Sequence, residues 1–118
     1  MVFPLHYLIL LAGIWNLSNG ILHDIFVLLQ RRPFDKELIR LLIDGNILIF
    51  SGILLLLCAN GIKTQQHLAF LVSMVTCFSI LVYCGLIFKV LPSYLTILIH
   101  LSALTWLVIE FLRLPLAD

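Results

Sequence analysis

The chain has 118 residues, of which 63% are hydrophobic and 11% charged, with a formal net charge of +1. A soluble domain carries about 25% charged residues, so this sequence lacks the polar surface to cover its apolar material in water. The small net charge excludes a basic field for nucleic acid, and the length allows one domain, residues 1–118.

Charged residues punctuate the chain. Runs without Asp, Glu, Lys or Arg cover 1–23, 45–62, 64–88 and 90–109. Each is near or above the ~18 residues that suggest a spanning helix, and roughly 20 residues at ~1.5 Å each cross a ~30 Å hydrocarbon core. The expected fold is all-α: an up-down antiparallel bundle of four transmembrane helices, integral to a membrane.

The first helix is predicted at about 4–29. Pro4 suits a first turn, where its missing N–H costs nothing. Gln30-Arg31-Arg32-Pro33-Phe34 ends the helix and leaves the bilayer. No Lys or Arg precedes the apolar run and no small-residue cleavage site follows it, so this segment is expected to stay in the mature chain. The second helix is predicted at about 36–60, with Asp35 as N-cap, Glu37 in the first turn and Asn60-Gly61 as a left-handed stop. The third is predicted at about 65–89 behind a Thr64 cap. The fourth is predicted at about 92–113, with Pro92 in its first turn and Pro115 beyond its end. Short connections make successive helices antiparallel neighbours.

Lys and Arg set the expected orientation. Arg31, Arg32, Lys36, Arg40 and Lys89 fall on one face, against Lys63 and Arg113 on the other. The positive-inside rule then places the Arg31-Arg32 loop in the cytoplasm and both termini outside, in a plasma membrane.

Ionisable residues inside a span carry the functional information, because each costs roughly 2.5–3.5 kcal/mol at a helix centre. The spans hold His23, Asp24, Asp44, His100 and Glu110. Asp24 lies six residues before Gln30, Asp44 nine after Asp35, Tyr83 six before Lys89 and His100 eight after Pro92. If all four helices meet the cytoplasmic face at those points, His23, Asp24, Asp44, Tyr83 and His100 share one layer roughly 9–13 Å below it.

Helical phase favours convergence. Gly13, Asn16, Gly20, His23 and Asp24 recur at three- and four-residue spacing, with Asn19 on the same broad stripe. Arg40, Asp44, Ile47 and Ser51 share a face, as do Thr96, His100, Ala103, Leu107 and Glu110. His23 and Asp24 point about 100° apart, so one aims inward and the other meets a helix–helix seam. The same residues also admit a structural reading. Asp44 can pair with Arg40, Asp24 with His100 or Tyr83, and Asn16 and Asn19 can bond between helices, all fixing register without chemistry. Glu110 and Arg113 read as a rim i,i+3 pair, Trp15 and Trp106 as packing residues, and His6 and His67 as interfacial residues. Cys58, Cys77 and Cys84 read as small hydrophobes.

Three functions fit this pattern. The first is a ligand or proton site formed by His23, Asp24, Asp44, Tyr83 and His100, with Asn16 and Asn19, serving binding or transport near the cytoplasmic face. Small multidrug-resistance transporters have this length, but the central Glu of their first helix has no counterpart here, where Asn16, Asn19 and Asp24 stand. The layout is similar to DoxX-like four-helix proteins in shape alone, with no shared motif. The second is a non-catalytic accessory or assembly subunit, whose Gly45, Gly52, Gly85 and Ala103 offer packing faces to a second copy or another membrane protein. The third is a metal or haem enzyme, for which His23 and His100 on separate helices are the available ligands. No His-x-x-x-His, Glu-x-x-His, nucleophile elbow or phosphate loop supports it, so no catalytic residue, metal or cofactor is assigned. The lipid bilayer is the one partner that every reading requires.

Overall fold

The computed structural model describes residues 4–115, so the ends of the single domain expected over 1–118, and Met1 to Phe3 at its start, lie outside the described residues. The described residues form four helices: α1 (Leu5–Leu29), α2 (Lys36–Lys63), α3 (His67–Leu86) and α4 (Tyr94–Arg113). All four are long and apolar enough to cross a membrane. Large side chains such as Leu22, Phe26, Leu57 and Leu112 stand exposed around the bundle. In water that surface would exceed what soluble monomers expose.

Local chemistry explains most helix ends. Asp35 is extended, and its carboxylate accepts the Leu38 N–H at 2.9 Å, capping α2 with Glu37 in the first turn. After α1, Gln30 closes the last turn and Arg31 takes a left-handed φ of 50°, so the chain leaves the helix before Pro33.

Three expected ends move. Gly61 does not stop α2, which runs on to Lys63. Its missing Cβ serves packing instead, since a Cβ there would stand 2.5 Å from the Ala69 methyl. The left-handed residue is Gln65, with φ 60°. Thr64 therefore closes α2, its Oγ1 donating to the Asn60 carbonyl at 3.1 Å, and does not cap α3. At the other end, α3 stops at Leu86 and α4 starts at Tyr94. Turns donated from Val90 and Leu91 to the Ile87 carbonyl occupy the interval, and Pro92 precedes α4 without entering it. Proline disfavours helical geometry at the residue before it.

The helices form a closed ring in which successive helices pack on one another and α1 meets α4. The whole measures 54 × 26 × 25 Å. The α1–α2 seam is built on glycine. Gly13 faces Gly52 and Gly20 faces Gly45, two pairs seven residues apart on antiparallel helices. Their missing side chains bring backbone against backbone.

The apolar core occupies one half of the rod. Leu5, Ile9 and Ala12 pack with Leu55, Ala59, Ile62, Phe70, Cys77, Ala103 and Leu107, towards the far face that carries the α2–α3 turn. Phe111 adds edge contact to His67 at 5.8 Å. The other half approaches the basic face, where Arg31, Arg32, Lys36, Arg40 and Lys89 gather, and holds Asn16, His100, His23 and Asp24, whereas the buried Ser73 lies between Phe70 and Cys77 of the apolar half.

Candidate functional site

The polar residues form two levels where the sequence suggested one. The deeper level centres on Asn16, which is fully buried. Its Nδ2 donates to Ser51 Oγ at 3.1 Å and lies 2.8 Å from His100 Nε2. His100 Nδ1 lies 2.7 Å from the Thr96 carbonyl oxygen. A carbonyl only accepts, so Nδ1 carries the hydrogen and Nε2 accepts from Asn16. Turning the Asn16 amide round would require a doubly protonated His100 with 0% exposure, a buried charge with no counter-ion. His100 is thus a neutral ring with both nitrogens occupied. Nearby, Trp15 Nε1 donates to Thr96 Oγ1 at 2.9 Å and joins α1 to α4 a second time. Asn19 bonds within its own helix, to the Trp15 carbonyl at 2.7 Å.

The second level lies one heptad nearer the basic face. His23 follows Asn16 by seven residues, Asp44 precedes Ser51 by seven, and Tyr83 follows Thr76 by seven. Seven residues are about two turns, or about 10 Å along a helix. Here Asp24 takes the seam position, lying over Gly45, and a Cβ on Gly45 would collide with its Oδ1 and stand 3.0 Å from His23 Nδ1. Asp24 Oδ2 accepts from Asn46 Nδ2 at 3.3 Å, and the same nitrogen donates to the Leu42 carbonyl at 2.8 Å. Asp24 Oδ1 lies 3.5 Å from His23 Nδ1. Both atoms are buried and neither makes a hydrogen bond, although the side chains remain 17% and 32% exposed. Across α2, the Tyr83 phenol approaches the Asp44 carboxylate.

The arrangement departs from the expected single layer for a physical reason. Depth counted from loop residues assumes that every helix starts level. The Asn16–His100 contact fixes the true register: α1 continues thirteen residues beyond it to Leu29, while α4 reaches Tyr94 in six. At ~1.5 Å per residue the α1 end projects about 10 Å past the start of α4. His100 therefore meets Asn16, not Asp24. The expected Asp44–Arg40 pair is also absent among the described ion pairs, whereas Glu110 and Arg113 do pair, at 3.3 Å.

The donor set does not favour a metal or haem. No group of three or more His, Cys, Asp or Glu able to hold a metal ion occurs among the described residues. His100 has no free nitrogen lone pair, and His23 lies on the other level. The sequence reading missed Asn46, whose signal was the one it used for Asn16: an amide inside an apolar run. Comparison of the chain with models of known families, with characterised proteins and with solved structures finds no match.

Proposed function

We propose that this chain is an integral membrane protein, with its basic face in the cytoplasm of a plasma membrane and both termini outside, that takes up a proton or a small hydrogen-bonding ligand at His23 and Asp24. The observation that carries the reading is the pair of buried, unbonded atoms, Asp24 Oδ1 and His23 Nδ1, 3.5 Å apart. The ionised Asp24 Oδ1 can only accept, and the neutral His23 ring can present either a lone pair or an N–H at Nδ1. A proton added to the ring makes Nδ1 a donor whichever tautomer is present and turns the contact into a charge-assisted hydrogen bond, which closes to about 2.7–2.9 Å. Histidine is the side chain whose charge changes near neutral pH, and an intramembrane carboxylate is expensive without such a partner. Asp44 and Tyr83 add acceptor and hydroxyl groups at the same level, on the other side of α2. The apolar core beyond Asn16 favours exchange with the basic face over passage through the bundle.

Proton uptake tests this reading directly. Purified protein in mild detergent receives a small acid pulse, and a pH-sensitive dye reports the protons bound. Asp24→Asn and His23→Gln should each remove the uptake, and His100→Gln should leave it. Uptake that survives Asp24→Asn, or disappears with His100→Gln alone, would overturn the assignment.

An accessory-subunit reading has one observation in its favour. A groove of about 580 Å³ runs between α2 and α3, with Phe50, Leu54 and Val75 beside Asn46, Thr76 and Ser79. Polar groups on an outward groove suit a helix from a second copy or another membrane protein. A cysteine at Val75 that forms specific cross-links in native membranes would support that role.

A further inference from the structure

The far face carries a second cluster of charges, unconnected to His23 and Asp24. Two cavities lie there, and both are lined by His6 and Lys63. One, of about 360 Å³, sits where the ends of α1, α2 and α4 surround Phe70 of α3. Its floor is apolar, with Leu5, Ile62 and Phe70 all buried. Lys63 and Glu110 bring opposite charges to it, beside Trp106. The other, of about 330 Å³, is a groove on the α1–α2 flank lined by Tyr7, Leu10, Leu56, Ala59 and Asn60 besides His6 and Lys63. Each volume lies within or near the ~300–1,000 Å³ of ordinary ligand pockets.

We infer that these neighbouring cavities seat a zwitterionic phospholipid bearing a primary amine, its phosphate on Lys63 and His6, its ammonium on Glu110 and one acyl chain in the α1–α2 groove. The inference rests on bilayer insertion but not on the His23–Asp24 site. Lys63 makes no ion pair among the described residues. Among the described residues Glu110 pairs only with Arg113, which is 72% exposed, and such exposed pairs hold weakly. Among the described residues, Lys63 thus has no counter-ion and Glu110 only a weakly held one, so a ligand can supply their complements. The level suits a lipid, because helix ends of spanning segments lie where headgroups lie. A cavity that brings opposite charges together, next to a groove with Leu10, Leu56 and Ala59 in its wall, suits a molecule with a dipolar head and a hydrocarbon tail. Phosphatidylglycerol lacks the amine that Glu110 would accept from, and the quaternary ammonium of phosphatidylcholine has no N–H to donate.

Native mass spectrometry tests the assignment on protein exchanged into an equal mixture of phosphatidylethanolamine, phosphatidylglycerol and phosphatidylcholine. The wild type should retain phosphatidylethanolamine in preference. Glu110→Gln should lower its advantage over phosphatidylglycerol by on the order of fivefold, as expected for loss of one charge-assisted hydrogen bond. Lys63→Gln should lower retention of all three lipids, and Lys63→Arg should restore it. Both Gln variants should keep the proton uptake described above, which separates failure of this seat from failure of that site. Soluble glycerophosphoethanolamine should not displace the lipid. Equal retention of the three lipids by the wild type, indifference to both Gln substitutions, or displacement by the soluble headgroup would each overturn the proposal.

Discussion

Replacing Gly52 by Ala should destabilise the bundle, while the same change at Gly85 should not. A Cβ on Gly52 would lie 2.6 Å from the Leu17 nitrogen and 2.7 Å from the Gly13 carbonyl oxygen. Both obstacles are backbone, so neither can rotate away. Ordinary carbon contacts begin at about 3.5 Å, so α1 and α2 must part by close to ~1 Å. A radial gap of that size forfeits roughly a quarter to a half of each dispersion well along the seam. Overpacking of this kind costs about 1–3 kcal/mol. Alanine returns up to ~1 kcal/mol in helix propensity. The net loss should be up to about 2 kcal/mol. Gly85 has nothing within 4 Å of its virtual Cβ, so Gly85→Ala keeps only the propensity gain. Unfolding in mild detergent, driven by heat or by added sodium dodecyl sulfate and followed by circular dichroism, gives the comparison. Equal stability of Gly52→Ala and Gly85→Ala would refute the close backbone seam.

Two further predictions follow from the polar level and the α2–α3 turn. In a double-mutant cycle, Asn16→Ala and His100→Ala should show a coupling of roughly 0.6–1.7 kcal/mol, the range for side-chain bonds between membrane helices, and additive losses would mean that the 2.8 Å contact does not stabilise the fold. Gln65→Gly should stabilise by about 1 kcal/mol, because a left-handed φ of 60° strains every residue but glycine, and an unchanged unfolding midpoint would refute that strain.

How much of this was legible in the sequence depends on which residues carried the signal. Four helices could be counted because charge-free runs have one explanation, and the Asp35 cap was readable because Asp before an apolar run has a single local job. Gly61 misled because the same absent Cβ serves a left-handed turn and a close contact, and only the position of Ala69 decides between them. The layer of His23, Asp24, Asp44, Tyr83 and His100 was half legible. Seven-residue spacing ties Asn16 to His23, Ser51 to Asp44 and Thr76 to Tyr83, and that pattern stands in the sequence. The stagger of α4 against α1 does not, because it is set by the Asn16–His100 contact between residues far apart in the chain. The unbonded Nδ1 of His23 and Oδ1 of Asp24 are likewise a tertiary fact, dependent on Gly45 being opposite.

The division of the rod into a polar half and an apolar half has an electrical consequence. In a bilayer, one elementary charge crossing the full span is worth ~2.3 kcal/mol per 100 mV. Asp24 lies six residues before Gln30, so about 9 Å of a ~30 Å span separates it from the basic face. A proton arriving there has crossed at most about a third of the voltage, worth roughly 0.7 kcal/mol per 100 mV. The remaining drop falls across Ile9, Leu55, Ala103 and Leu107, where no charge resides. Occupancy of His23 and Asp24 should therefore track the pH on one side of the membrane and respond only weakly to its potential.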